Sequence, residues 1–195
     1  MYTFSEKGLF LVFEGCDGCG KSNQLNRSRN WLLSMDFKVL VTKEPNKDGY
    51  WGKKIYADLA DKTPNSMHNK NPFEFQRWYA LDSAENMASV VIPALNDGIV
   101  VLKDRYRPSL VYGVKTEKEI EKFLIMNFAV LGRDFIWPHV IFIFDVEPEI
   151  AMNRLNKKGI TLDEFESRKE FIAHVVVCKN NILLLRKQLS CFAQY

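Results

Sequence analysis

A glycine-rich stretch near the N-terminus has the residue types and the spacing needed to hold phosphate groups. The stretch matches the pattern G-x-x-x-x-G-K-[ST] and reads Gly15-Cys16-Asp17-Gly18-Cys19-Gly20-Lys21-Ser22. Glycines let the backbone approach a phosphate closely and present its N–H groups, and the positive end of a helix that starts at Lys21 favours the same anion. The pattern predicts that Lys21 reaches the β- and γ-phosphates of a nucleotide and that the Ser22 hydroxyl binds Mg²⁺.

The flanking sequence provides the structural context that such a loop requires. Residues 9–13 form a short apolar run bounded by glycine and charge, which is typical of a buried strand. Residues 24–35 carry apolar side chains at helical spacing. This strand and helix favour a phosphate-binding loop over a chance glycine-rich turn. The residues that we expect to bind the nucleotide phosphates are Gly15, Gly18, Gly20, Lys21, Ser22 and Asn23.

Apolar runs alternate with helical patterns along the rest of the chain. Three further strands are predicted, at residues 38–42, 99–102 and 140–144. The further helices are predicted at residues 50–61, 72–96, 116–131 and 148–155. The third of these begins with a capping-box pattern, Thr116 followed by Glu119, and Pro93 should kink or shorten the second. The alternation predicts a single α/β domain of three layers, with a parallel sheet of four or five strands and helices on both faces.

Charged residues follow each predicted strand. Ligands of parallel α/β sheets bind beyond the carboxyl ends of the strands, so these residues should converge with the phosphate loop on one rim. Asp104 is placed where phosphate-loop enzymes carry the carboxylate that organises Mg²⁺, although it could instead cap a turn. Arg105 can grip a phosphate through two hydrogen bonds, and its other interpretation is a surface arginine paired with a carboxylate.

Composition and charge limit the class of protein. The chain has 195 residues and a net charge of +3, which favours an anionic small-molecule partner and argues against nucleic-acid wrapping. We found no signal peptide or membrane span and therefore expect a cytoplasmic protein. Cys16 and Cys19 form a C-x-x-C pair, but no second pair completes a zinc site. We interpret both as small loop residues in a reducing compartment.

The C-terminal part has weaker patterns. Residues 62–71 are polar and predict a loop, and residues 156–166 are charged and predict a mobile lid. Residues 167–187 favour a helix, and residues 190–194 favour a short last strand. Basic residues that flank the predicted lid are candidates to neutralise charge on a transferring phosphoryl group, and the two that we select are Arg154 and Lys158. For the lysine, solvated surface charge is an equal alternative.

Several motifs together resemble the thymidylate kinase family. They occur in the family's order and at about its spacing, from residue 8 to about residue 184. The motifs are Phe13-Glu14-Gly15-x-Asp17-Gly18-x-Gly20-Lys21-Ser22, Lys43-Glu44-Pro45, Asp104-Arg105-Tyr106-x-x-Ser109, and Asp145-Val146-x-Pro148-Glu149 with Arg154. The resemblance implies ATP- and Mg²⁺-dependent phosphorylation of a deoxynucleoside monophosphate, a small-molecule nucleotide substrate. It also implies a homodimer formed through helices.

The resemblance assigns roles to individual residues. Asp17 would accept a hydrogen bond from the sugar 3′-hydroxyl, and Arg105 would hold the acceptor phosphate. Glu44 would lie near the sugar or the metal, Ser109 would belong to the substrate site, and Tyr79 would stack on the base. A core aromatic on a helix is an equally good interpretation of Tyr79.

Several positions depart from the family pattern, among them Lys43, where the family usually has arginine. Ser83 stands where the family usually has arginine, and Gly113 stands where it often has a glutamine that contacts the base. The resemblance implies dTMP as the substrate, and because of these departures dUMP and a modified pyrimidine monophosphate stay open as alternatives. Three alternative functions remain at this level. A deoxynucleoside kinase would use Glu44 as a base, an inactive relative would only bind nucleotide, and a GTPase-type switch would need a guanine motif that residues 46–49 do not match.

Overall fold

Four parallel strands form the sheet of this α/β protein. The computed structural model describes residues 8–111 and 116–157. Within these ranges the strands are β1 (Phe10–Glu14), β2 (Val39–Lys43), β3 (Val100–Asp104) and β4 (Val140–Ile143). Their order across the sheet is β2-β3-β1-β4, and all three pairings are parallel. The predicted α/β fold with a parallel sheet is confirmed.

Alternate side chains of the central strands enter two separate apolar layers. Phe10 and Val12 of β1 point into a core shared with the helices on one face. Phe13 of β1 points to the other face, where it packs with Leu25 and Leu32. Because strand side chains alternate with a period of two, a continuous apolar run of this kind must be covered on both faces. Helices therefore lie on both faces of the sheet.

Helices connect the strands and carry the apolar layers. They are α1 (Lys21–Ser34), α2 (Tyr50–Ala60), α3 (Met67–Lys70), α4 (Pro72–Asn86), α5 (Ile92–Asn96), α6 (Glu117–Leu131) and α7 (Pro148–Lys157). The predicted capping box is present, because Thr116 accepts a hydrogen bond from the Glu119 N–H while the Glu119 carboxylate accepts one from the Thr116 N–H. No helix within the described ranges is both long enough and apolar enough to cross a membrane.

The long helix predicted over residues 72–96 is interrupted. A π-helical turn, Met87–Val91, separates α4 from α5. Pro93 lies at the start of α5, and because proline has no N–H it cannot donate to the preceding turn. One turn earlier, within the π-helical region, the Ser89 hydroxyl donates to the carbonyl of Glu85 at 2.6 Å. The helix therefore adjusts upstream of the proline.

Other boundaries differ locally from the prediction. Residues 62–71 contain the short helix α3 in addition to loop. In β4, predicted to be buried, Val140 and Phe142 are 42% and 43% exposed. Residues 156 and 157 of the predicted lid belong to the last turn of α7. The rest of the predicted lid, the predicted helix at 167–187 and the predicted last strand lie outside the described residues.

Candidate active site

The phosphate loop links β1 to α1 through backbone geometry that only glycine adopts readily. Gly18 has φ of +79°, and a Cβ added there would lie 2.4 Å from the carbonyl oxygen of Ala151. Gly20, with φ of +95°, is the residue before α1, and no side chain caps this helix. The N–H groups of the first turn of α1 are thus left available for an anion. Ser22 and Asn23 are exposed in that turn.

Lys21 and Asp104 form a buried ion pair at the carboxyl edge of the sheet. The distance from Lys21 Nζ to Asp104 Oδ1 is 3.0 Å, and both side chains are less than a tenth exposed. This carboxylate oxygen is buried and accepts no hydrogen bond of good geometry within the described part of the chain. An anionic oxygen held in this way is suited to a cation or to a water bound to a cation. The structure brings the predicted phosphate lysine and the predicted metal carboxylate together.

The same residues fit the requirements of magnesium. Mg²⁺ prefers oxygen ligands and usually binds through one or two protein groups together with water and substrate phosphates. The Ser22 hydroxyl at the start of α1 and the Asp104 carboxylate offer such a pair. No group of three or more His, Cys, Asp or Glu side chains suited to a metal occurs among residues 8–111 and 116–157.

Arg105 and Asp17 pair across the mouth of the loop. Arg105 Nη2 donates to Asp17 Oδ1 at 2.6 Å. Desolvation opposes ionisation of Asp17, but the positive charges of Arg105 and Lys21 outweigh it and lower the pKa of that carboxyl. Arg105 has φ of +73°, a left-handed conformation that is uncommon for arginine. The guanidinium is partly exposed, so an anionic ligand can reach it.

Glu14 fixes the segment that carries Arg105. It is fully buried, and its carboxylate accepts bonds from the Tyr106 N–H at 2.5 Å and from the Ser109 hydroxyl at 2.9 Å. Burial raises the pKa of Glu14 to about 7, although the nearby charge of Arg105 and both hydrogen bonds oppose this rise. Ser109, predicted to bind substrate, thus directs its hydroxyl hydrogen at the protein. We did not predict Glu14 as a site residue, although it belongs to the first motif.

Glu44 lies in a buried polar cluster beside the rim. Its Oε1 accepts a bond from the Ser83 hydroxyl at 2.5 Å and lies 3.1 Å from Lys103 Nζ. Its N–H donates to the Asp104 carbonyl at 3.0 Å, which joins it to the end of β3. Asp82 accepts bonds from the Asn46 N–H through both carboxylate oxygens, at 3.2 and 3.0 Å. Desolvation raises the pKa of Asp82 to about 6.

Two tyrosines face this rim from the helices. Tyr79 of α4 packs edge-on against Phe75 with ring centroids 5.4 Å apart and contacts the apolar cluster around Ile55. This packing agrees with the interpretation of Tyr79 as a core aromatic on a helix. Stacking of Tyr79 on the base stays a prediction. Burial raises the pKa values of Tyr79 and Tyr56, while the charge of Arg105 acts on both. Tyr56 was missed, because helical spacing alone does not show which side of α2 faces the rim.

Arg154 reaches the phosphate loop from α7. Its Nη1 donates to the carbonyl oxygens of Gly18 at 3.3 Å and of Cys19 at 3.0 Å. The predicted candidate for charge neutralisation thus touches the loop that should hold the phosphates. Lys158 lies outside the described residues. Cys16 and Cys19 are buried and form no disulfide, and burial raises the pKa of Cys19, which fits small loop residues better than reactive ones.

Comparison with known proteins points to one family. The family model described as thymidylate kinase matches residues 13–187. The chain is 33% identical to a thymidylate kinase of Nitratidesulfovibrio vulgaris (strain DP4) over 78% of this chain and 66% of that relative. It is 35% identical to a thymidylate kinase of Caldicellulosiruptor saccharolyticus over 78% of this chain and 72% of the relative. It is 34% identical to a thymidylate kinase of Thermoanaerobacter sp. (strain X514) over 83% of this chain and 77% of the relative.

Proposed function

The chain belongs to the thymidylate kinase family, and on this premise we propose that it transfers the γ-phosphoryl group of ATP to the phosphate of dTMP. The products are dTDP and ADP. The observation that carries the proposal is the adjacency of two ion pairs at one rim. The Lys21–Asp104 pair belongs to a phosphate loop, and the Arg105–Asp17 pair stands at its mouth. The first can serve the donor phosphates and the second the acceptor.

The transfer needs positioning and charge neutralisation more than acid–base chemistry. An oxygen of the dTMP phosphate, already ionised at neutral pH, attacks the γ-phosphorus in line. The bond to the oxygen that bridges the β- and γ-phosphates breaks, and ADP leaves. No protein nucleophile is needed. Backbone N–H groups at the start of α1 and the Lys21 ammonium hold the β- and γ-phosphates, while Arg154 lies against the loop backbone where it can approach the transferring group.

Arg105 and Asp17 exchange partners when the acceptor binds. The monophosphate takes the guanidinium of Arg105, to which a dianion binds more strongly than a single carboxylate does. Asp17 is then free to accept a hydrogen bond from the sugar 3′-hydroxyl. Ser22 and Asp104 would hold Mg²⁺, which would neutralise negative charge on the nucleotide phosphates. Glu44 and Tyr79 form the wall that receives the sugar and the base.

The oligomeric state and the location of the protein are two further parts of the proposal. We propose a homodimer, supported by exposed apolar side chains on neighbouring helices α4 and α6, namely Phe73, Ile125 and Phe128. Light scattering of the purified chain tests this, since a monomer at micromolar concentration would contradict it. We propose a cytoplasmic location, because buried cysteines that form no disulfide fit a reducing compartment.

A coupled assay of ADP formation with a panel of acceptors tests the proposed function. We expect turnover with dTMP, slower or similar turnover with dUMP, and little with dGMP, dAMP or thymidine. Efficient use of thymidine would make the chain a deoxynucleoside kinase. ADP formation with none of these acceptors, by a protein that still binds ATP, would identify an inactive relative.

A further inference from the structure

Arg107 is a buried cation that the proposed mechanism does not use. It lies in the 3₁₀ turn after β3 and is 1% exposed. Its Nη1 donates to the side-chain Oδ1 of Asn127 on α6, and its Nη2 donates to the Ser83 hydroxyl on α4. The guanidinium carbon lies 4.0 Å from the centre of the Tyr106 ring. Its Nε has no hydrogen-bond partner in the described part of the chain. Burying a charged group without full pairing is costly, so its retention calls for a reason.

Ser83 connects this guanidinium to Glu44. The Ser83 oxygen accepts from Arg107, and the Ser83 hydroxyl donates to Glu44 Oε1 at 2.5 Å. Accepting a bond from a cation polarises the hydroxyl and strengthens the bond that it donates. Lys103 lies 3.1 Å from the same carboxylate oxygen. The Glu44 carboxylate is thus held from two sides by two buried cations, one acting directly and one acting through Ser83.

Ser83 faces the rim because of its place on α4. Tyr79, Ser83 and Asn86 follow helical spacing and share one face of the helix. Asn86 pairs with Thr42 at the end of β2 and with Lys103 of β3. Asp82, the neighbour of Ser83, binds the Asn46 N–H in the loop after β2. This face therefore meets the ends of β2 and β3 beside the residues that we assign to the acceptor.

We infer that Arg107 is a positioning residue for the acceptor nucleotide, which it serves by holding the Glu44 carboxylate through Ser83. The inference rests on the proposed function. It also accounts for Ser83, at a position where the family pattern has arginine, because a guanidinium from the turn after β3 fills the slot beside this small side chain.

The inference predicts different effects on the use of dTMP and on the use of ATP. Removal of Arg107 frees Ser83 and Glu44 to reorient and takes a positive charge from the acceptor side, where a dianion must bind. In the described part of the chain the hydrogen bonds of Arg107 go to Ser83 and Asn127 and not to the phosphate loop or the Lys21–Asp104 pair, so ATP binding should be spared. We therefore expect Arg107→Met to raise the KM for dTMP by about tenfold or more and to change the KM for ATP by less than about twofold. Arg107→Lys, whose single ammonium cannot reach Ser83 and Asn127 together, should be intermediate.

Two further variants distinguish positioning from a general loss of packing. Leu131→Ala removes a core side chain far along α6, so it should lower the Tm without changing either KM. The double variant Ser83→Arg/Arg107→Ala moves the guanidinium back to α4 and should recover most of the dTMP affinity that Arg107→Ala alone loses. Ser83→Arg by itself places two guanidiniums in one buried slot and should lower the Tm.

The experiment measures both KM values and the Tm of the wild type and each variant. Parallel rises in both KM values for the Arg107 variants, or no rise in either, would overturn the inference, as would a double variant no better than Arg107→Ala. If Arg107→Met does not fold, Arg107→Lys decides by the same comparison. A wild type that does not phosphorylate dTMP refutes the proposed function and this inference together. An active wild type with an unaffected Arg107 variant refutes this inference alone.

Discussion

Replacing Lys21 by methionine tests the phosphate loop most sharply, because the structure gives this lysine two tasks. Its position in the motif predicts contact with the β- and γ-phosphates, and its ammonium also pairs with Asp104 in a buried setting. The sequence alone suggests a loop lysine that packs little, whereas its side chain is 7% exposed. Lys21→Met keeps most of the aliphatic length and removes only the charge. Activity and stability should therefore both fall, for separate reasons.

The stability cost follows from the geometry of the ion pair. At a separation of 3.0 Å the attraction is about 5 kcal/mol for an effective dielectric constant of about 20, and part of it offsets the desolvation of both groups. Loss of one partner leaves an uncompensated buried carboxylate, so the free energy of unfolding should fall by about 3–5 kcal/mol. The double variant Lys21→Met/Asp104→Asn removes both charges and should cost clearly less than the single variant.

The catalytic loss should persist in both variants, and the double variant should be at least as impaired because it also lacks the carboxylate that we assign to Mg²⁺. Removing one charged group that stabilises the transition state lowers kcat by about 100- to 1000-fold. Urea unfolding gives the stability terms, and the coupled ADP assay, run well below the unfolding temperature, gives kcat. If Lys21→Met retains more than about a tenth of the wild-type kcat, or if the double variant regains activity along with stability, the role assigned to Lys21 is refuted.

Three other perturbations test separate parts of the site. Arg105→Ala should raise the KM for dTMP strongly and leave ATP affinity nearly unchanged when the two are measured independently, and equal losses would assign Arg105 to the ATP side or to structure. Loss of the single methyl group that distinguishes dTMP from dUMP should change kcat/KM by no more than about 10- to 100-fold, and a strong preference for dGMP or dAMP would rule out a pyrimidine pocket. Glu14→Gln should alter the pH dependence of stability. The folded pKa of Glu14, about 7, lies above the ordinary value of 4.5, so the wild type loses stability as the pH rises from 4.5 to 7. The glutamine side chain does not titrate, so the variant does not lose this stability. Between pH 5 and pH 8 its free energy of unfolding, measured in urea, should therefore rise by roughly 2–3 kcal/mol relative to that of the wild type. An unchanged difference between the two proteins at these pH values would contradict the raised pKa.

The phosphate loop and the fold were predictable because local sequence specifies them. The loop needs glycines at set positions, and Gly18 and Gly20 have the positive φ values that explain why. Apolar runs mark the strands, and charge at the strand ends marks the rim. Parallel strands bring their carboxyl ends to one edge of the sheet. The site residues therefore lie together at that edge, namely Lys21, Asp104, Asp17 and Arg105.

The buried cluster beside the rim was not predictable from local sequence. Glu44, Ser83 and Arg107 lie on three different elements, and their bonds depend on how α4 crosses the strand ends. Nothing in the sequence around Arg107 distinguishes it from a surface arginine. The π-helical turn after α4 has a similar origin, because Pro93 indicates a break but does not fix where the upstream helix adjusts. These features depend on contacts between segments that are distant in the sequence, and the local hydrophobic periodicity does not predict them.

Transfer of a labelled phosphoryl group tests the central claim most directly. The purified chain is incubated with ATP labelled at the γ-phosphate, Mg²⁺ and unlabelled dTMP, and the products are separated by chromatography. We expect the label in the β-phosphate of dTDP, formed in equal amount with ADP, and none of it without dTMP. Label released only as inorganic phosphate, or remaining in ATP while active-site binding of both nucleotides is demonstrated, would contradict the assignment of this chain as a kinase of dTMP.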